Sequence, residues 1–242
     1  SEILFKPTRK EHFILQLKNI GKNYQKKLRA LILEQEKCSI PITYKLDLEY
    51  IYITFDESAI NKVNIRPKLK GRIFAIDLNP NYVGWTVVDW KSENNYKLIK
   101  SGLVSLKPLN DYENNLKIFS DSPEKKYVVN KRKFEVIKIG YELAKLASHF
   151  RCEVFGIEDL RIASSDKSKG KNFNRLCNNQ WNRRLLAHIL EKSCKLYQIY
   201  FQKVIANYSS FIGNLVYREE KLPDPCLSSI EIGRRAYEFY YQ

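Results

Sequence analysis

From Arg9 to Glu36 apolar residues recur at steps of three and four, through Phe13, Leu17, Ile20, Tyr24, Leu28 and Leu31, with Lys and Arg filling the other faces. That period predicts one amphipathic helix. Pro41 breaks it. Ile42, Tyr44, Leu46 and Leu48 then alternate with other residues, and a second β-like run follows from Tyr50 to Phe55, so two strands are expected. A basic connector, Arg66-Pro67-Lys68-Leu69-Lys70-Gly71, closes this small N-terminal piece, residues 1–70.

Beyond it the pattern changes. Arg72 to Leu78 contains the run Ile73-Phe74-Ala75-Ile76, which predicts a buried strand, and Tyr82 to Trp90 and Tyr96 to Leu106 predict two more in an antiparallel meander. The polar stretch from Pro108 to Lys126 reads as a surface loop. A helix with Val136, Gly140, Leu143, Ala147 and Phe150 on one face comes next, then a buried strand from Cys152 to Ile157. A basic loop, Arg161 to Arg175, leads into a helix carrying Trp181, Leu185 and Ile189. Ile199 to Ile205 is the fifth strand, and the last helix opens at Asp224-Pro225. Residues 71–242 thus read β-β-β-α-β-α-β-α, an α/β mixed sheet with helices on its faces.

Composition narrows the class. With 44% apolar and 13% aromatic residues, and only nine Gly and eight Pro, the chain is neither disordered throughout nor collagen-like. No apolar run reaches the roughly 20 residues of a membrane span, and the start lacks a signal-peptide pattern, so a cytoplasmic protein with no membrane partner is expected. Five Cys without a CxxC pair argue against a disulfide framework, and no zinc is expected. Lys and Arg number 42 against 27 Asp and Glu, a net charge of +15, which points to a polyanionic partner. Methionine is absent and the first residue is Ser1, so local motifs carry more weight than the spacings between them.

Acids inside or at the ends of the predicted buried strands are the informative residues. Asp77 interrupts an apolar run, where an ionised carboxylate is costly unless paired, hydrogen-bonded or bound to a cation. Glu158 stands at the carboxyl end of a strand, where open α/β sheets place their ligands. Asp224 opens the final helix. If the first and fourth strands are neighbours, Asp77 and Glu158 lie side by side, and a helix crossing the sheet brings Asp224 to them. Three converging carboxylates repel one another unless divalent cations intervene, and hard oxygen donors favour Mg²⁺. Two such ions about 3.5–4 Å apart activate a water and stabilise the leaving oxygen of a phosphodiester. Together with the basic balance, this suggests metal-dependent cleavage of nucleic acid.

The local sequences sharpen that expectation. Ala75-Ile76-Asp77-Leu78-Asn79-Pro80-Asn81-Tyr82-Val83-Gly84-Trp85 resembles the first RuvC motif of the RNase H-like nucleases, in the version carried by transposon-encoded TnpB proteins and type V CRISPR effectors. Phe155-Gly156-Ile157-Glu158-Asp159-Leu160 resembles their second motif, and the segment from Asp224 to Ile232, more loosely, their third. Ala206-Asn207-Tyr208-Ser209-Ser210 resembles the TnpB segment that leads into a zinc-binding insertion; here Phe211 to Pro223 follows, with no Cys or His. The resemblance spans residues 72–242. It implies an RNase H-like (RuvC) mixed sheet flanked by helices and an RNA-guided DNA endonuclease of bacterial, archaeal or phage context. Asp77, Glu158 and Asp224 would be its catalytic residues and metal ligands, with two Mg²⁺ or Mn²⁺ ions as cofactors. DNA would be the substrate, and a guide RNA the partner that reads sequence by base pairing. Residues 1–70 resemble the end of the wedge, or oligonucleotide-binding-like, domain that precedes this nuclease, as in a carboxyl-terminal portion or a compact relative.

Simpler readings stand beside these. Asp224 before Pro225 is also a good helix start, with Asp as N-cap and Pro as the first helical residue, and the two roles are compatible. Asp77 could pair with a buried Arg or Lys. Asp89 and Glu231 read as surface or loop acids. Arg161, Lys167, Lys169, Lys171 and Arg175, with Arg183 and Arg184 on the following helix, are the candidate phosphate contacts, against the plain alternative of a solvated loop. Phe173 and Trp181 can stack on bases, though Trp181 fits a core position better. No His or Cys has ligand or nucleophile spacing. Two other classes stay open: a guide-RNA- and DNA-binding module with weak or no cleavage, and a structure-selective resolvase or transposition factor on the same fold.

Overall fold

A computed structural model describes residues 2–5, 10–16, 20–37, 40–47, 49–60, 66–115, 123–159, 182–205 and 207–242. The chain divides into two compact units, 1–62 and 63–242. In the first, β1 (Glu2–Phe5) pairs antiparallel with β2 (Phe13–Gln16), α1 spans Lys22–Gln35, and β3 (Ile42–Leu46) pairs antiparallel with β4 (Ile51–Phe55). The single helix expected from Arg9 to Glu36 is therefore a strand followed by a shorter helix. Three consecutive bulky residues, Phe13-Ile14-Leu15, suit a paired strand, and Gly21, in extended conformation at φ −60°, ψ 146°, marks the helix start. Leu31, Ile40 and Ile60 form a small core with Ile42, Ile53 and Phe55 packed against it.

The second unit holds a five-stranded sheet of β5 (Arg72–Leu78), β6 (Tyr82–Ser92), β7 (Asn95–Ser105), β8 (Val154–Glu158) and β9 (Tyr200–Val204), in the order β7-β6-β5-β8-β9. β7, β6 and β5 are antiparallel; β5, β8 and β9 are parallel. Its helices are α2 (Lys107–Asn115), α3 (Pro123–His149), α4 (Arg183–Leu196), α5 (Ser209–Val216) and α6 (Asp224–Tyr241). The mixed sheet is as expected, with its first and fourth strands adjacent. Two helices were not. α2 occupies the stretch read as a polar loop, because buried Asn110 donates to the Pro80 carbonyl at 3.1 Å and to Asn81 Oδ1 at 2.8 Å, fastening a polar helix to the β5–β6 turn. α5 fills part of the interval before Asp224. Trp181 and the basic loop lie outside the described residues, and among those described no helix is long and apolar enough to cross a membrane.

Strand alternation sorts the core into two layers. Phe74, Ile76, Val83, Val87, Phe155 and Ile157 face one way, covered by Val136, Leu143 and Ala147 of α3 and by Leu186 and Leu190 of α4. Ile73, Ala75, Val88, Trp90 and Val154 face the other, under Leu227, Ile230, Ile232 and Ala236 of α6. By the same alternation Asp77 and Glu158 belong to the α6 layer.

α6 also buries a charge. Glu231, expected at the surface, is fully buried; Arg234 Nε and Nη2 and Arg235 Nε each donate to it at 2.9 Å, and the Tyr217 hydroxyl at 3.2 Å. Its cations sit three and four residues on, along the same helix, which a reading of single acids overlooks. Burial pushes the Glu231 carboxyl up, but hydrogen bonds and charge from Arg234 and Arg235 outweigh it and hold the group below its ordinary 4.5. Its stabilisation is therefore fully present above about pH 4.5 and lost as pH falls through the lower folded value. Glu231→Ala removes three charge-assisted hydrogen bonds, leaving Arg234 with Glu238 and Arg235 with the Ile205 and Asn207 carbonyls, and is expected to cost at least about 2 kcal/mol in urea denaturation at neutral pH. Asp89 is a strand residue rather than a loop acid: it accepts from Arg72 Nε at 2.6 Å and Nη2 at 2.7 Å.

Candidate active site

Asp77 and Glu158 each follow the last paired residues of adjacent parallel strands. Ile76 stands opposite Ile157 in the β5–β8 register, so the two acids come next, on the α6 face. Across the antiparallel pair, Asp77 faces Gly84 of β6. A Cβ on Gly84 would lie 2.3 Å from the carbonyl carbon and oxygen of Pro225, so the first turn of α6 rests directly on that glycine. Asp224, the residue before Pro225, is thereby delivered to the sheet end that carries Asp77 and Glu158. Gly213 of α5 permits a second close approach, its Cβ position being 2.8 Å from the Leu227 carbonyl.

The electrostatics follow from this placement. Asp77 is 6% exposed and Glu158 9%, whereas Asp224 is exposed. Burial lifts the Asp77 carboxyl well above its ordinary 3.8, and the charges of Glu158 and then Asp224 lift it further, against a backbone hydrogen bond from Leu78. Burial also raises Glu158, with the Ser209 hydrogen bond and the Arg235 charge opposing. Asp224 is the first residue of α6 and not its N-cap; extended Pro223 holds the cap position without a side-chain bond. The Asp224 carboxylate accepts from Asn214 instead of from the amides of its own first turn.

α5 thus grips two of the three acids. The Ser209 hydroxyl donates to Glu158 Oε1, and the Asn214 amide donates to Asp224 Oδ1 and, at 2.8 Å, to the Ser210 carbonyl. Arg235 secures the preceding segment by donating to the Ile205 carbonyl and, at 2.9 Å, to that of Asn207. Sequence reasoning singled out neither Ser209 nor Asn214. Ser209 stood inside a segment noted for resemblance; nothing in the sequence distinguished Asn214. Among the described residues, no three His, Cys, Asp or Glu side chains already surround one point able to hold an ion. The backbone brings the three acids to one end of the sheet, while the carboxylates of Glu158 and Asp224 are engaged by α5.

The remaining sequence-predicted residues are elsewhere. Arg183, part-buried, and Arg184, exposed, open α4, which packs on the sheet face opposite the acids. Arg161, Lys167, Lys169, Lys171 and Arg175 lie outside the described residues, as does Phe173.

A meander of three strands, a parallel fourth beside the first, a parallel fifth beside the fourth, and a helix that carries an acid to the ends of strands one and four define the fold. Residues 63–242 form an α/β mixed five-stranded sheet flanked by helices. Solved structures similar to the chain include RuvC of Thermus thermophilus in complex with a Holliday junction substrate, at 12% identity, covering 70% of this chain and 95% of that one with a TM-score of 0.42. Others are a Cas12f1–sgRNA–target DNA complex (13%, 80% and 44%, TM-score 0.49) and the yeast mitochondrial Holliday junction resolvase Ydc2 (11%, 73% and 81%, TM-score 0.42). No family model and no curated protein matches the chain.

The donor set at this sheet end fits a hard divalent cation: carboxylate oxygens throughout, with the buried charge of Asp77 raised in energy by two acidic neighbours that a cation would neutralise. Orientation of ligands by an outer layer of hydrogen bonds typically contributes 10–100-fold to metal affinity. Ser209→Ala and Asn214→Ala are accordingly each expected to weaken Mn²⁺ binding by about 10-fold or more. The loss would show in a titration of free Mn²⁺ by electron paramagnetic resonance, with stability changed by only about 1 kcal/mol.

Proposed function

We propose that this protein is a metal-dependent DNA endonuclease that works with a guide RNA in the cytoplasm, with Asp77, Glu158 and Asp224 holding two Mg²⁺ or Mn²⁺ ions. The observation that carries the reading is the burial of Asp77 beside two other carboxylates at one sheet end, an arrangement that costs stability in the absence of a cation. Bound there, the ions supply a water of lowered pKa and positive charge against the charge that develops on the phosphodiester. The chain's own residues do the rest. Ser209 and Asn214 hold Glu158 and Asp224 in place before metal and substrate arrive. Gly84 lets the first turn of α6 seat Asp224 over the sheet end. The positive excess draws in nucleic acid, with Arg161, Lys167, Lys169, Lys171, Arg175, Arg183 and Arg184 as proposed phosphate contacts whose effect weakens with salt. A pure binding module has no use for the buried acids, which favours cleavage.

The test is cutting of labelled DNA by the full chain purified with its bound RNA. Mg²⁺ or Mn²⁺ is expected to support cutting, EDTA to abolish it, and RNase treatment to remove the preference for the matching sequence. Cutting that persists in EDTA refutes the metal reading. Sequence-independent cutting that is indifferent to RNase refutes guidance and favours a resolvase-type role.

A further inference from the structure

α3 turns an aromatic face to solvent. Val128, Val136, Leu143 and Ala147 are buried on its inner side. On the opposite side stand Tyr127, Phe134 and Tyr141, seven residues apart and 60%, 62% and 41% exposed. Between and after them come Lys131, Lys138 and Lys145, again seven apart. Steps of four and three keep all six on one side of the helix, in a stripe about 27 Å long at 1.5 Å per residue. The Lys131 ammonium lies 4.4 Å from the ring centroid of Tyr112, itself exposed, which carries the surface onto α2. Of the acids beside the stripe, Glu142 is 3.9 Å from Lys145, and both side chains are more than 60% exposed. Burial against the sheet does not account for three large rings held in water on a helix whose other side is well packed.

We infer that this face of α3 binds single-stranded RNA, the rings stacking on bases and the lysines meeting phosphates. Rings stand about 10.5 Å apart with an ammonium between neighbours, so each ring can take a separate, non-adjacent base while the lysines meet phosphates between them, and stacking on aromatic side chains is how unpaired bases are held. A partner helix would call for apolar residues at both positions of the three-four repeat, whereas here every second position is Lys. A duplex hides its base faces and leaves the rings unused. RNA is preferred over DNA because α3 covers the sheet face opposite the carboxylates, so a strand lying on it is not presented for cutting. A strand kept and not cut is, on the function proposed above, the guide; the choice of RNA rests on that reading, the existence of the surface does not. The Tyr127 and Tyr141 hydroxyls add groups able to bond a ribose 2′-hydroxyl.

The experiment measures fluorescence anisotropy of a labelled, unstructured RNA, the DNA strand of the same sequence and the corresponding duplex, with the full chain in EDTA so that nothing is cut. Alanine at Tyr127, Phe134 and Tyr141 together is expected to weaken RNA binding at least about 10-fold, since the stacking of each base on a ring is lost. DNA-strand and duplex binding should fall less, and the melting temperature should stay put, because these side chains are exposed. Lys131→Gln, Lys138→Gln and Lys145→Gln together should flatten the slope of log affinity against log salt by about 2. Unchanged RNA affinity in the ring variant overturns the inference. Equal losses for RNA and DNA strands overturn the choice of RNA. Self-association of the parent in sedimentation that the ring variant loses, with RNA affinity intact, assigns the face to a protein partner and overturns it as well. Binding read in EDTA and cutting read with metal separate a failure here from a failure of the proposed activity.

Discussion

Asp77→Asn is expected to reduce metal-dependent cutting to background and, in the same protein, to raise the melting temperature. The two effects share one cause. A carboxylate that is 6% exposed and repelled by Glu158 and Asp224 is a poor occupant of a folded interior unless a cation joins it, and an amide of the same shape removes the repulsion while losing the ligand. Relief of such a site typically returns about 1–2 kcal/mol. For a chain of this size that is a rise of about 2–8 °C. The pH dependence is fixed by the direction of the shift. With the folded value raised, the penalty is full above that value and absent below the unfolded 3.8, so the gain of the variant should grow as pH rises from 3.8 towards the folded value and vanish below 3.8. Added Mg²⁺ should narrow the gap by stabilising the parent alone. A variant that melts below the parent in EDTA at neutral pH, or cuts at the parental rate, would refute the role given to Asp77.

Gly84→Ala should disable the site from a residue that carries no chemistry. The added methyl would sit 2.3 Å from the Pro225 carbonyl group, which is backbone and cannot rotate aside, so the first turn of α6 must lift. Overpacking of this kind costs about 1–3 kcal/mol, occasionally more. The larger consequence is for Asp224, which moves with that turn; misplacement of a reacting group by about 1 Å can cost 100-fold in rate. Gly233→Ala supplies the control on the same helix, because its added Cβ meets the Ala75 methyl at 3.3 Å and needs only a small adjustment. Cutting rates and melting temperatures of the two variants, measured together, separate displacement of Asp224 from general loosening of α6. Parental cutting by Gly84→Ala would show that the first turn of α6 does not set the site.

β5 and β8 were legible because burial on both faces writes them as apolar runs, and the other three strands of the sheet by their β-branched and aromatic residues. Asp77 was legible as an interruption of such a run, Glu158 as the acid at the end of one, and Asp224 from the Asp-Pro start of the last helix. Alternation then assigns Asp77 and Glu158 to one face before any helix is placed. Elements held by polar contacts were not legible. α2 depends on one buried amide, Asn110, and α5 on Gly213 and two hydrogen bonds to acids, none of which has a period. The first unit misled in the opposite direction: apolar residues at helical spacing between Phe13 and Leu31 coincided with a strand pairing that a distant partner, Glu2–Phe5, decides. Glu231 looked solvated because hydropathy counts a charge and not the two guanidinium groups folded back onto it.

Because one of the three acids rides on a helix made after every strand of the sheet, a ribosome-bound chain can complete the β5–β9 scaffold while still lacking a working centre. Competence arrives in one late docking event, when α6 settles on Gly84 and α5 locks against it. On the function proposed above, nascent chains and fragments that stop short of Asp224 lack one of the three acids and are expected not to cut, a consequence of chain order alone.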